Sequence, residues 1–161
     1  MAAPAKAGPV KRASQSRGGA PARKGAAVHS FRVPYRYDLK AAEIVHPIGV
    51  CLKCYKVVEP FARRYSKTVA QGEWLYVHKH PLAFVVLEQD SSGKRGVRTV
   101  GGVPSSLAHL VKEAWVEHGA DIYFVEDAVK EWLRLAKEGR EEDLVITEVD
   151  GVVQLTVAGD W

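Results

Sequence analysis

Apolar positions change their spacing along this chain, and each change marks a different kind of element. Before Ala27 almost nothing apolar is larger than Val10. A segment with so little to bury cannot offset the entropy lost on ordering, so the pattern predicts a disordered arm. Residues 44–58 are mostly apolar and enclose Cys51 and Cys54. Trp74–His78 and Leu82–Leu87 carry the aromatic and β-branched content of strands. Ser91–Gly96 reads as a turn with a basic tip, and Val97–Val100 as the strand returning from it.

After Gly101-Gly102 the spacing becomes helical. Pro104-Ser105-Ser106 is a helix start. Leu107, Leu110, Val111, Ala114 and His118 then share one face, and Gly119 stops the helix. Ile122–Val125 reads as a short strand. Glu126–Lys137 reads as a second helix with Val129, Trp132, Leu133 and Ala136 facing inward, and Gly139 ends it. Residues 144–149 and 152–157 flank Asp150-Gly151, a strong two-residue hairpin signal. The expected fold class is α+β. It comprises a basic low-complexity arm over 1–38, a β-rich unit over 39–101, and an acidic helix-helix-hairpin unit over 102–161.

Charge sharpens that division. The whole chain carries a net charge of only +4, but residues 1–100 hold 18 Lys/Arg against 6 Asp/Glu, whereas 101–161 hold 5 against 13. Such asymmetry points to a polyanion-binding end and a separate acidic module. Lys6, Lys11, Arg12, Arg17, Arg23 and Lys24 are strung along the arm. Arg32 and Arg36 follow, interleaved with Phe31, Tyr35 and Tyr37, and Lys94 and Arg95 sit on the basic turn. Cations meet phosphates, and aromatic or guanidinium planes stack on exposed bases, so these residues form the expected contact set for DNA or RNA. The aromatics of 31–37 have a second reading, in which they pin the arm onto the folded body.

No apolar run approaches the roughly 18 residues of a membrane span. No apolar stretch follows the first basic residues, as a secretory leader requires. The expected setting is therefore the cytoplasm, or a virion or ribonucleoprotein, with no membrane partner. The chain contains no asparagine and one methionine, and depletion of thermolabile residues is a thermophile tendency.

Two cysteines cannot build a disulfide framework. Their C-x2-C spacing, Cys51-Leu-Lys-Cys54, is followed, after 23 intervening residues, by His78-Lys-His80. Zinc takes four tetrahedral N/S ligands, and C-x2-C supplies two thiolates from one turn. Alternation along a strand would point His78 and His80 to the same face. The expected metal ligands are therefore Cys51, Cys54, His78 and His80, holding structural zinc, with His46 as a substitute donor. A redox-active dithiol, a local disulfide and a pair of buried thiols remain open alternatives.

The segments Cys51-Leu-Lys-Cys54-Tyr55 and Gly72-Glu-Trp-Leu-Tyr-Val-His78-Lys-His80 resemble small zinc-ribbon and zinc-knuckle domains of archaea and their mobile elements, over about residues 46–88. Such domains commonly carry Pro and Gly where this chain has Leu52 and Tyr55. The resemblance implies a zinc-ribbon-like unit with a nucleic-acid-binding or stabilising role.

No enzyme signature emerges. Ser92-Gly93-Lys94 lacks the spaced glycine and hydroxyl of a phosphate-binding loop, and Gly101-Gly102 makes no dinucleotide fingerprint. The expected function is nucleic-acid binding without catalysis. One alternative is a structural or assembly subunit whose arm threads into packaged nucleic acid while the acidic C-terminal unit meets a protein partner or another copy. A second is a winged-helix-like regulator, against which the many carboxylates of 126–143 weigh.

Overall fold

The computed structural model describes residues 27–33, 42–65 and 72–159, and side chains within 44–62 and 74–159. It is an α+β fold. In chain order the strands are β1 (Ala27–Val33), β2 (Ala42–Cys51), β3 (Lys56–Val58), β4 (Ala62–Tyr65), β5 (Gly72–His78), β6 (Ala83–Asp90) and β7 (Arg95–Val100). Helices α1 (Ser105–Lys112) and α2 (Ile122–Lys137) follow, and the hairpin β8 (Leu144–Val149)–β9 (Val152–Val157) ends the described chain. A four-stranded antiparallel sheet runs β3-β2-β6-β7, and a three-stranded one runs β1-β5-β4. No helix among the described residues is long and apolar enough to cross a membrane.

Strand β6 explains why the apolar run 82–87 is continuous rather than alternating: both of its faces are covered. Ala83, Val85 and Leu87 join Ile48 and Val50 under α1, α2 and the hairpin. Phe84 and Val86, with Leu82 just ahead of them, point the other way and pack with Trp74 and Tyr76 of β5 and with Cys51. The Tyr76 and Phe84 rings lie 5.1 Å apart, tilted by 58°. Tyr76 also presses on β2 at Gly49, where a Cβ would sit 3.1 Å from the ring and 3.0 Å from the Val58 carbonyl oxygen. Only glycine fits there without displacement.

The segments on either side of residue 101 share one apolar core. The change at 101 is one of element type and charge, while buried side chains from β2 and β6 and from both helices form a single cluster. Helix α1 passes directly into a wider π turn at Glu113–Glu117, where the His118 N–H reaches the Glu113 carbonyl at 2.9 Å. Gly119 follows with φ +65°.

Three expectations change. Ile122–Val125 is the first turn of α2, not a strand, because Asp121 caps the helix by accepting from the Phe124 N–H at 2.8 Å. Val125, Ala128, Val129, Trp132 and Leu133 then continue one buried stripe. Residues 27–33, assigned to the arm, form β1, which pairs with β5 and places Arg32 opposite Glu73 in register. Strand β4 also had no counterpart in the apolar pattern. The hairpin turn is as expected: Asp150 and Gly151 both have positive φ, 53° and 78°, the type I′ geometry that Asp-Gly favours.

Candidate metal centre

The four donors come from two chain reversals at one end of the smaller core. Strand β2 delivers Cys51, which is fully buried. The turn after it brings the chain back into β3, with Cys51 opposite Lys56 in register. That turn is closed by the Tyr55 N–H donating to the Cys51 carbonyl at 2.9 Å and by the Cys54 N–H donating to Cys51 Sγ at 3.2 Å. Tyr55 takes the left-handed conformation, φ +56°. Such a conformation costs a non-glycine residue roughly 1–2 kcal/mol, so the turn forms here against local preference.

The histidines arrive differently from the strand alternation anticipated in the sequence. His78 ends β5, but His80 lies in the bend that follows, ahead of Pro81. They converge nevertheless, with ring centroids 5.6 Å apart. His78 presents Nε2 to Cys54 Sγ at 3.5 Å. His80 presents Nδ1, 3.3 Å from Cys54 Sγ and 3.6 Å from Cys51 Sγ. All four donor atoms lie within 4.8 Å of one another. Zn–S bonds of about 2.3 Å and Zn–N bonds of about 2.0–2.1 Å give a tetrahedron whose S···N edges are about 3.6 Å. The three S···N separations of 3.3–3.6 Å are close to those edges. Cys51, Cys54, His78 and His80 are able to hold a metal ion.

The thiols are not bonded to one another. Burial, reinforced by the neighbouring Cys51 thiol, pushes the Cys54 thiol above its ordinary value, while Lys56 and Lys79 pull it the other way. A divalent ion would reverse that balance, because a coordinating thiol is deprotonated outright.

His46 is not the fourth donor. Its Nε2 lies 2.9 Å from Glu126 Oε2, tying β2 to α2. Arg95, expected to face phosphate, is committed inside the fold. Its guanidinium stacks 3.6 Å above the Trp115 ring centroid and donates to the carbonyls of Trp115 (3.0 Å) and Ala120 (2.6 Å) and to Gln89 Oε1 (2.7 Å). Lys94 is exposed on the turn that Asp90 organises by accepting from the Ser92 and Lys94 N–H groups. Lys6, Lys11, Arg12, Arg17, Arg23, Lys24 and Arg36 lie outside the described residues, as does the Arg32 side chain.

Sequence reasoning passed over Lys53, Lys56 and Lys79, all exposed beside the ligands. Their signal was their position between and beside the ligands. A concavity of about 210 Å³ between α1, α2 and β8, lined by Ser106, His109, Glu113, Trp132, Glu141 and Glu142 among others, shares no residue with the four donors.

His118 is a second electrostatic clamp. Its Nδ1 meets Glu148 Oε1 at 3.0 Å and its Nε2 lies 3.6 Å from Glu113 Oε2, joining the π turn to β8. The hydrogen bond to Glu148 is the main cause that raises its pKa, against an opposing contribution from burial. A raised folded pKa means that the clamp's stabilisation is fully present below the unfolded value of about 6.5 and is lost as pH rises through the folded value. The His118→Gln variant should therefore be less stable than the wild type in urea at pH 6, with the gap closing above the folded pKa. An equal gap at pH 6 and pH 9 would assign His118 a packing role instead.

No family model matches the chain, no curated protein matches its sequence, and no solved structure matches its fold.

Proposed function

We propose that the protein binds nucleic acid, using a cationic N-terminal arm beside a small ribbon-like unit stapled by structural zinc. The convergence of two thiols and two imidazoles at S···N separations of 3.3–3.6 Å carries the metal assignment. Mixed S/N donors suit zinc, and four protein ligands leave no open position for substrate or activated water. That favours a structural ion and a binding role over catalysis. The ion would cross-link the β2–β3 turn to the β5–β6 connection, segments far apart in sequence.

The nucleic-acid assignment rests on charge. Residues 1–26 contain six Lys/Arg and no Asp or Glu. Cations that neutralise phosphates release condensed counterions, so affinity depends steeply on salt. A titration of the full chain against duplex DNA or RNA across salt concentrations tests it. The comparison protein lacks residues 1–26 and keeps β1, which pairs with β5. With six phosphate contacts removed, the slope of log affinity against log salt should shrink by about 5. An unchanged slope, or a flat salt response of the full chain, overturns the assignment.

A further inference from the structure

The turn that carries Cys51 and Cys54 has features that holding an ion does not require. Lys53, Tyr55 and Lys56 are exposed on the first ligand turn, and Lys79 is exposed between the two histidines. Lys56 and Lys79 both lie close enough to Cys54 to act on its thiol electrostatically. Among the described residues none of the three lysines forms an ion pair. Two thiolates and one divalent cation sum to zero, so a loaded centre leaves these lysines setting the local field. The nearest carboxylate in sequence, Glu59, is exposed at the far end of β3.

Tyr55 adds an exposed aromatic residue to the same turn. It occupies a left-handed position, φ +56°, where glycine would relieve the strain. The residue is 38% exposed, so it is accessible from solvent. An aromatic ring held on a rigid turn and flanked by lysines is the arrangement on which unpaired bases stack while phosphates meet the cations. Duplex bases are already stacked on their neighbours and offer no free face to such a ring.

We infer that the metal-closed turn is a single-strand platform, with Tyr55 stacking on an unpaired base and Lys53, Lys56 and Lys79 contacting the flanking phosphates. The inference rests on the nucleic-acid reading above and names the ligand class and residues of that site. It makes the arm a sequence-independent tether and the turn the part that distinguishes single strands from duplex.

The test uses the full-length, zinc-loaded chain and fluorescence anisotropy with labelled 20-nucleotide oligo(dT), oligo(U) and a duplex of equal length. Tyr55→Gly should retain zinc and fold, weaken single-strand binding by about five- to a hundred-fold, and leave duplex binding unchanged. Tyr55→Phe, which keeps the ring, should bind as the wild type does. Joint replacement of Lys53, Lys56 and Lys79 by Gln should reduce the single-strand salt slope by about 2. Wild-type single-strand affinity in Tyr55→Gly overturns the inference alone, as does an equal loss on both ligands. If the wild type binds no oligonucleotide at low salt, the inference and the nucleic-acid reading fall together. Preference for poly-glutamate over oligonucleotides would overturn both in favour of an acidic protein partner.

Discussion

Replacing Cys51 and Cys54 together by serine is expected to reduce bound zinc from about one equivalent per chain to less than a tenth of that, and to loosen one side of the protein only. Structural zinc sites of small domains are worth about 10–16 kcal/mol at neutral pH. The hydroxyl of serine is a poor substitute for thiolate toward a borderline-soft ion. The site adjoins the smaller buried cluster, whose six members include Cys51 itself, Trp74 and Tyr76. The larger cluster has nineteen buried members and no ligand among them. Chelating the ion should therefore remove amide-exchange protection from β5 and the 51–58 hairpin while α1 and α2 keep theirs. Simultaneous loss of protection in the helices would mean that the whole fold rides on the ion. Unchanged protection everywhere, or zinc well below one equivalent in the wild type, would remove the structural-zinc assignment.

The second large effect is expected at Trp115, which is 1% exposed and joins three elements. Its Nε1–H donates to the Glu88 carbonyl at 3.1 Å, anchoring the π turn to β6. Arg95 of β7 covers the ring and donates to the carbonyls of Trp115, inside the π turn, and of Ala120, just beyond it. Truncation to alanine removes the ring and leaves a cavity, at about 3–5 kcal/mol, and the lost cation–π contact adds about 1 kcal/mol. Against a total stability of about 5–15 kcal/mol for a domain, that is a large fraction. Arg95→Met should cost about 2–4 kcal/mol, because it leaves two carbonyls short of a charged donor. Urea unfolding of the two single variants and the double variant closes the cycle. A coupling energy of about 1 kcal/mol or more is expected, whereas strict additivity would show that the stack contributes nothing.

Residues whose environment is set by near neighbours were legible in the sequence. The buried stripe of α2, the Asp150-Gly151 turn and the apolar run of β6 all follow from spacing and turn chemistry. The grouping of Cys51, Cys54, His78 and His80 was legible because C-x2-C supplies two thiolates from one turn and two nearby histidines complete a four-ligand set. What failed depended on distant contacts. His46, held as a substitute donor, is taken up instead by Glu126 through the packing of α2. Arg95 looked like a surface cation because its ring partner lies 20 residues away. The left-handed turn at Tyr55 is set by the hydrogen bond to Cys51 rather than by its own preference, and β1 is a strand because β5 offers it an edge.

Strand β6 acts as a party wall. Ala83, Val85 and Leu87 belong to the larger buried cluster, and Phe84 and Val86 to the smaller one that contains Cys51. An ion held by the four side chains would act on the helices through displacement of this one eight-residue partition. A graded response of the helices to the centre would be transmitted as pressure through this stretch, without any rearrangement of chain connections.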